Sequence, residues 1–328
     1  MVNTIGSQHA TGNRLIVQKD DAVLLDVQCH KIDAVLIFGN VQFTTQAVHE
    51  LFEHDIEMAI LSRTGRLKGQ LTSPATKNIF LRLEQFRKYE DEAFKLAISR
   101  AIVAGKIGNG LNLIRRFTYN QPETDVGSEV ESLANTLKTV EAADGIEQLL
   151  GIEGTAARIY FSAFGKMLRG DLTFPGRRKR PATDPVNGML SLTYTMVFNE
   201  IASLLDGLGF DPYLGFFHSV DYGRASLAAD LMEEFRAPVA DRLVLNLVNN
   251  RVFSEDDFQI NPRGGATYFR REAMKRYFAE YEKHINREFT HPVRSEQTTL
   301  RKCFRIQAEN LAAAIKTGEP YRAVALEA

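Results

Sequence analysis

Two cysteines are few for 328 residues, and Cys29 and Cys303 stand far apart with no CxxC and no Cys/His spacing around either. That pattern excludes a disulfide framework and gives no zinc-site signal, so both are expected to be ordinary buried thiols. Long apolar runs are also missing. No stretch approaches the roughly 18 residues of a membrane span, and the first apolar run, 15–17, follows a polar beginning unlike a secretory signal. The expectation is a cytoplasmic protein without membrane contact. Nor is there an excess of one charge: the net value of −1 argues against a uniformly basic nucleic-acid binder. That average conceals one local asymmetry. Between residues 166 and 180, six basic residues (Lys166, Arg169, Arg177, Arg178, Lys179 and Arg180) meet a single acid, Asp171, enough to grip an anion. What is present is an ordinary globular balance, 44% hydrophobic and 25% charged, sufficient for one large domain or two ordinary ones.

The texture changes once along the chain. From 14 to about 72, short runs rich in Val, Ile and Leu ("RLIVQ", "AVLLDVQ", "IDAVLIFG", "VQFTT", "EMAILS", "RLKGQLT") alternate with polar or Gly-containing turns, which predicts a small β-domain. A single short helix is expected at 46–54, where Val48, Leu51 and Phe52 fall at helical spacing, and the hydrophilic start "MVNTIGSQHATGN" carries no strand signal. "TSPATK" (72–77) contains the linker, taken as 73–77. From 78 onward, apolar residues recur every three or four positions. One long helix is expected over 78–118, then helices near 127–150, 152–169, 186–207, 224–236, 239–250, 266–287 and 297–317. The fold class is therefore α+β: a β-domain at 1–72, the linker, and an all-α domain at 78–328.

Within the helical half, "LLGIEGTAARIYFSAF" (149–164) contains one acid. At 100° per residue, Glu153 points into the apolar arc of Ala156, Ala157, Ile159, Tyr160, Phe161 and Phe164, away from Thr155, Arg158 and Ser162. A charge in such surroundings costs several kcal/mol unless paired or ligated. The candidate partners are Arg158, Arg236, or a metal ion bridging Glu153 to His218 and Glu233. The bland alternative is a first-turn Glu favoured by the helix dipole and turned partly to water. A second stretch, "GFFHSVDYGRASLAADLMEEFRAP" (215–238), offers His218 and an acidic face of Asp230, Glu233 and Glu234 opposite Leu227, Ala228, Leu231, Met232 and Phe235; alone, that face reads as solvated. Carboxylates with one imidazole and no thiolate suit Mg²⁺ or Mn²⁺, which can neutralise phosphate charge and activate a hydroxyl for in-line attack. The basic loop at 177–180 supplies a phosphate-binding surface without sequence preference.

At these residues the chain resembles the CRISPR-associated adaptation integrases, the Cas-one family. "VLIFGNVQFTTQAVHELFEHDIEMAILSRTGRLKGQL" is similar to the family's strand-helix-strand segment, "GIEG" to its metal-binding Glu motif, and "RPATDPVNGMLSLTYT" to its Asp-Pro-x-Asn loop and following helix, with Asn187 and Tyr194 in matching places. "GFFHSVDYGRASLAADLMEEFR" corresponds to its His and acidic helix. The resemblance implies Glu153, His218 and Glu233 as ligands of Mg²⁺ or Mn²⁺ and Asp230 as an auxiliary acid near the ion. It also implies Arg236 as a DNA-facing group, alongside the loop residues Arg177, Arg178, Lys179 and Arg180. It further implies a homodimer through the β-domains, two such dimers clamping a dimer of a small ferredoxin-like partner, and attack of a DNA 3′-hydroxyl on the repeat array by transesterification. The residues alone leave open a structure-specific endonuclease acting on branched DNA, or a non-catalytic DNA-binding scaffold.

Overall fold

The computed structural model describes residues 3–6, 13–19, 22–32, 34–54, 56–61, 67–71, 78–178, 181–261 and 265–326; the 73–77 linker, Lys179 and Arg180 lie outside them. The chain divides into two compact units, residues 1–79 with 205–210, and residues 80–204 with 211–328. No helix among the described residues is long and apolar enough to cross a membrane.

The first unit holds β1 (Asn3–Gly6), β2 (Arg14–Lys19), β3 (Ala22–Gln28), β4 (Ala34–Phe38), β5 (Val41–Phe43), α1 (Thr45–Glu53), β6 (Glu57–Leu61) and β7 (Leu67–Leu71). β1 forms where the sequence shows no strand signal, because backbone pairing on both sides decides it: Thr4 pairs with Gln18 of β2 antiparallel and with Gln42 of β5 parallel. The sheets run β3-β2-β1-β5 and β4-β6-β7. β4 and β6 are parallel, which a hairpin cannot connect. α1 lies on the crossover between them, started by the Thr44 hydroxyl accepting from Ala47 N at 3.1 Å. Leu15, Cys29, Ile37, Ala47, Leu51, Ile56 and Met58 make the core.

The expected 78–118 helix is two: α2 (Ile79–Glu90) and α3 (Glu92–Asn120). Asp91 leaves helical geometry and caps α3 by accepting from Phe94 N at 3.0 Å, a local bond that competes with helix continuation. The expected 127–150 helix also divides, into α4 (Gly127–Thr139) and the start of α5 (Ile146–Met167). Glu153 thus sits two turns inside α5, which removes the first-turn dipole explanation. α6 (Pro185–Leu208) opens with Pro at its first position and the Asp184 carboxylate accepting from Asn187 N at 2.9 Å.

α7 (Ser226–Met232) is followed by a 3₁₀ turn (Glu233–Phe235), a π turn (Arg236–Asp241) and α8 (Arg242–Asn249). Pro238 has no N–H for the carbonyl four residues back, that of Glu234, and the α-pattern breaks. Asn109 Nδ2 supplies that carbonyl with a donor at 2.7 Å. Two ribbons interrupt the helical half, β8 (Phe258–Ile260) with β9 (Thr267–Phe269) and β10 (Glu288–Thr290) with β11 (Gln297–Thr299). They take the first residues of the helices expected at 266–287 and 297–317, leaving α9 (Arg271–Ile285) and α10 (Leu300–Thr317). The fold class stands, with a helical unit that is mostly rather than wholly α.

Candidate metal centre

The 215–218 loop can reach α7 because residue 215 is glycine: a Cβ there would lie 2.7 Å from Asp230 Oδ2 and 2.7 Å from the Ser226 carbonyl carbon. At that distance Asp230, 1% exposed, accepts from the N–H groups of Phe216, Phe217 and His218 at 2.6, 3.0 and 2.8 Å. Its Oδ1 also lies 2.8 Å from His218 Nδ1. Both Asp230 oxygens are therefore engaged by the loop and the ring. With Nδ1 protonated toward Asp230, the Nε2 lone pair is left outward, 3.6 Å from Glu233 Oε1. Asp230 thus fixes the loop and the imidazole in place.

The acidic face read as solvated is buried throughout: Asp230, Glu233 and Glu234 are 1%, 3% and 2% exposed. Each acid meets a different wall. Glu233 Oε2 receives Lys106 Nζ at 2.7 Å and Arg236 Nε at 2.8 Å. The same Lys106 ammonium pairs with Glu153, so one cation joins the carboxylates of α5 and of the 3₁₀ turn. Burial by itself raises the Glu233 pKa, but Arg236, Lys106 and His218 outweigh it and hold the carboxylate far below its usual range. Burial works against the Arg236 charge in turn, and Glu233 more than restores it.

Glu153 lies at the rim of its apolar face, with Ala156, Tyr160 and Phe164 buried behind it and about a quarter of its side chain exposed. Neither Arg158 nor Arg236 is its partner; Lys106 is. Two glycines mark the approach of neighbours to α3 around that lysine. A Cβ on Gly105 would fall 2.3 Å from Ala323 Cβ, and one on Gly110 would meet the Tyr160 ring at 3.0 Å. Mid-helix glycine costs about 1 kcal/mol relative to alanine, so two flanking one lysine were a readable signal for close packing there.

A cavity beside this cluster is lined by Lys106, Glu153, Tyr160, Arg177, Tyr194 and Arg236 among others. The guanidinium groups of Arg177 and Arg236 lie 5.2 and 4.7 Å from the Tyr194 ring centre. Arg177 is not a solvated loop arginine: it donates to Asn187 Oδ1 at 2.7 Å and to Ser191 Oγ at 3.2 Å, and burial lowers its pKa. Arg178 is exposed. Beneath them, Asp241 accepts from the hydroxyls of Tyr194 and, at 2.8 Å, Tyr160. Burial pushes Asp241 up to about 6 despite these donors, and burial with the Asp241 charge keeps both phenols protonated. Asp241 interrupts "APVADRLVLNLV" as Glu153 interrupts its own helix, and the same reasoning could have found it.

The donor chemistry fits a divalent ion. Two carboxylates already converge on one positive charge, and His218 Nε2 stands 3.6 Å from one of them. Glu153, His218 and Glu233 are the residues that would hold such an ion, although their ligand atoms do not all lie within 4.8 Å of one another.

The family model described as CRISPR associated protein Cas1 matches residues 1–283. The chain belongs to that family. The CRISPR-associated endonuclease Cas1 3 of Thermus thermophilus is 37% identical over 290 residues, covering 88% of this chain and 84% of the relative. Among solved structures, a chain of a Cas6-RT-Cas1–Cas2 complex is 28% identical with a TM-score of 0.80; the match covers 98% of this chain and 35% of that one. A Cas1 protein from Thermotoga maritima shares the fold at 22% identity, with a TM-score of 0.80 and 96% and 95% coverage. Within the Cas1 fold, the Lys106 bridge and the Asp241 phenol pair are groups that sequence reasoning missed, and the bond from Asp230 to His218 is a contact it did not read. All three depend on contacts between residues distant in sequence.

Proposed function

We propose that this Cas1 protein is a DNA integrase of CRISPR adaptation that joins the 3′-hydroxyl ends of captured DNA to a repeat array by transesterification. The observation that carries this reading is the convergence of Glu153 and Glu233 on one cation, with His218 Nε2 3.6 Å from Glu233. Glu153, His218 and Glu233 would hold Mg²⁺ or Mn²⁺, which when bound neutralises phosphate charge and activates a hydroxyl for in-line attack. Asp230 holds the imidazole with Nε2 aimed at the centre. Arg177 and Arg236, in the cavity wall, orient a phosphodiester, and the exposed Arg178 grips the backbone without reading sequence, as the loop residues Lys179 and Arg180 are expected to do from the sequence.

The protein works in the cytoplasm as a homodimer, two dimers holding a dimer of a small ferredoxin-like partner. The exposed Val23, Leu24 and Leu25 of β3, all more than half accessible, support an association through the first unit, because an apolar strand at a sheet edge is a template for pairing. The solved Cas6-RT-Cas1–Cas2 complex supports an assembly with a second adaptation protein.

The test is Mn²⁺ or Mg²⁺ titration of wild type and His218→Ala, followed by strand transfer of a 3′-hydroxyl oligonucleotide into a supercoiled array plasmid. Covalent joining by wild type and its loss in the variant are expected. Nicking of branched DNA without joining would favour a structure-specific endonuclease, and a variant that joins DNA as well as wild type would overturn the site.

A further inference from the structure

Cys29 showed no metal spacing in the sequence, yet the fold of the first unit brings two further donors to it. Cys29 opens the 3₁₀ turn Cys29–Lys31 that follows β3, and its backbone is pinned there: its N–H donates to Asn13 O at 2.7 Å and its carbonyl accepts from Ile32 N at 2.9 Å. Glu50 lies in the last turn of α1 and His54 is its C-cap, whose N–H donates to the Glu50 carbonyl, four residues apart on one side of the helix end. One ligand-type atom from each of Cys29, Glu50 and His54 lies within 4.8 Å of the other two, and among the described residues this is the group of His, Cys, Asp or Glu donors gathered that closely. It is separate from the Glu153 centre, whose residues belong to the other unit.

The cluster is incomplete as a protein-only arrangement. Cys29 is fully buried. Glu50 Oε2 is shut off from solvent and has no hydrogen-bond donor among the described residues, and His54 Nε2 stays at 4.0 Å from it. A buried carboxylate oxygen without a donor is a destabilising feature that native structures rarely tolerate, and a cation between it, the sulfur and the imidazole would satisfy all three. The side chains of Glu50 and His54 keep 29% and 24% of their surface, which leaves an entry path from solvent.

We propose that Cys29, Glu50 and His54 form a Zn²⁺-class site in the β unit. Sulfur and imidazole select a borderline-soft ion over Mg²⁺, and three protein ligands leave one position for water or a further donor. Zn–S near 2.3 Å and Zn–N or Zn–O near 2.0 Å require ligand separations of about 3.3–3.7 Å, so the spread closes by about 1 Å through rotation of the Glu50 and His54 side chains. On binding, the metal replaces the Cys29 thiol proton, which leaves to solvent, and His54 coordinates as the neutral ring.

Co²⁺ titration of the full-length protein, stripped with chelator and kept reduced, tests the site, because only a thiolate ligand gives a near-ultraviolet sulfur-to-cobalt charge-transfer band. The expected result is one such band saturating at one equivalent, removed by Zn²⁺, retained in the Glu153→Ala/His218→Ala double variant and in Cys303→Ser, and absent in Cys29→Ser. Because Cys29→Ser alters the core, His54→Gln gives an independent reading at a half-buried helix end: Co²⁺ affinity falls at least tenfold with the circular dichroism unchanged. No charge-transfer band in wild type, a band that follows Cys303 instead of Cys29, or a wild-type affinity in His54→Gln would each overturn the proposal. Strand-transfer activity is read separately, so failure of this site and failure of the integrase reading are distinguishable.

Discussion

Glu233 and Glu234 are neighbours in one 3₁₀ turn, equally buried, and yet they belong to opposite regions of chemistry. Successive residues diverge by about 100–120°, so the two carboxylates face different walls. On one side, Glu233 meets Lys106, Arg236 and His218, and stays ionised. On the other side, Glu234 meets the C-terminal segment. It accepts from the Tyr321 hydroxyl, from Val324 N at 2.7 Å and from Gln307 Nε2 at 3.0 Å, all formally neutral donors. Burial dominates there and pushes its pKa up to about 7, with the three donors opposing it. Burial alone raises both acids; the presence of cations separates them. The C-terminal segment is fastened again by Asn109, which donates to Val324 O at 2.9 Å and accepts from Leu326 N at 2.9 Å.

The widest separation is expected from removing each charge in turn. Glu233→Gln leaves Lys106 and Arg236 without their shared anion and destabilises the fold by about 3 to 5 kcal/mol. Glu234→Gln changes hydrogen bonds without stranding a charge and costs about 1 to 3 kcal/mol. Urea denaturation of the two variants at pH 7.5 measures the difference, and equal losses would break the contrast.

pH should separate them by about 3 kcal/mol at most. Glu234 has a folded pKa near 7, raised from 4.5, so the folded state holds its proton more tightly. Its contribution is complete below about pH 4.5 and is lost as pH rises through about 7. Asp241, raised from 3.8 to about 6, acts in the same direction. Glu233 has the opposite sign: its contribution is present above 4.5 and is lost only as pH falls through its depressed folded value. Melting temperature followed from pH 5 to 8 should therefore decline less in Glu234→Gln than in wild type. A parallel decline would show that Glu234 is ionised throughout.

A smaller effect is expected at the His218 anchor. Asp230→Asn loses the anionic acceptor of three N–H groups and of Nδ1, and Mn²⁺ affinity measured calorimetrically should fall 10- to 100-fold. The smallest is at Lys106. Lys106→Met removes the cation that occupies the carboxylate pair, and Mn²⁺ should bind about tenfold more tightly, the equivalent of one charge-assisted hydrogen bond. Weaker binding would mean that Lys106 assembles the site instead of competing for it.

Much of this centre was legible in advance because an acid inside an apolar helical arc demands a partner. That reasoning singled out Glu153 and pointed to His218 and Glu233. It named the wrong arginines, because Lys106 reaches Glu153 from α3 across a gap of 47 residues. The helical projection gathered Asp230, Glu233 and Glu234 on one solvated face, whereas each is buried against a different wall. A projection shows which side a residue faces, and not what is packed there. Arg177 was read from its loop as a surface charge, whereas Asn187, Ser191 and the Tyr194 ring draw it inward.

The sequence by itself determined the α+β division and the family, and it singled out Glu153 as an acid in need of a partner, since hydrophobic period and unusual residues in apolar runs are local properties. Tertiary structure alone decided which cation joins Glu153 to Glu233, that Asp230 serves His218, that Glu234 keeps its proton to higher pH than a free carboxyl, and that Cys29 lies beside Glu50 and His54. Each of these rests on contacts between distant segments, and on desolvation, which exists only once the chain has closed around the group.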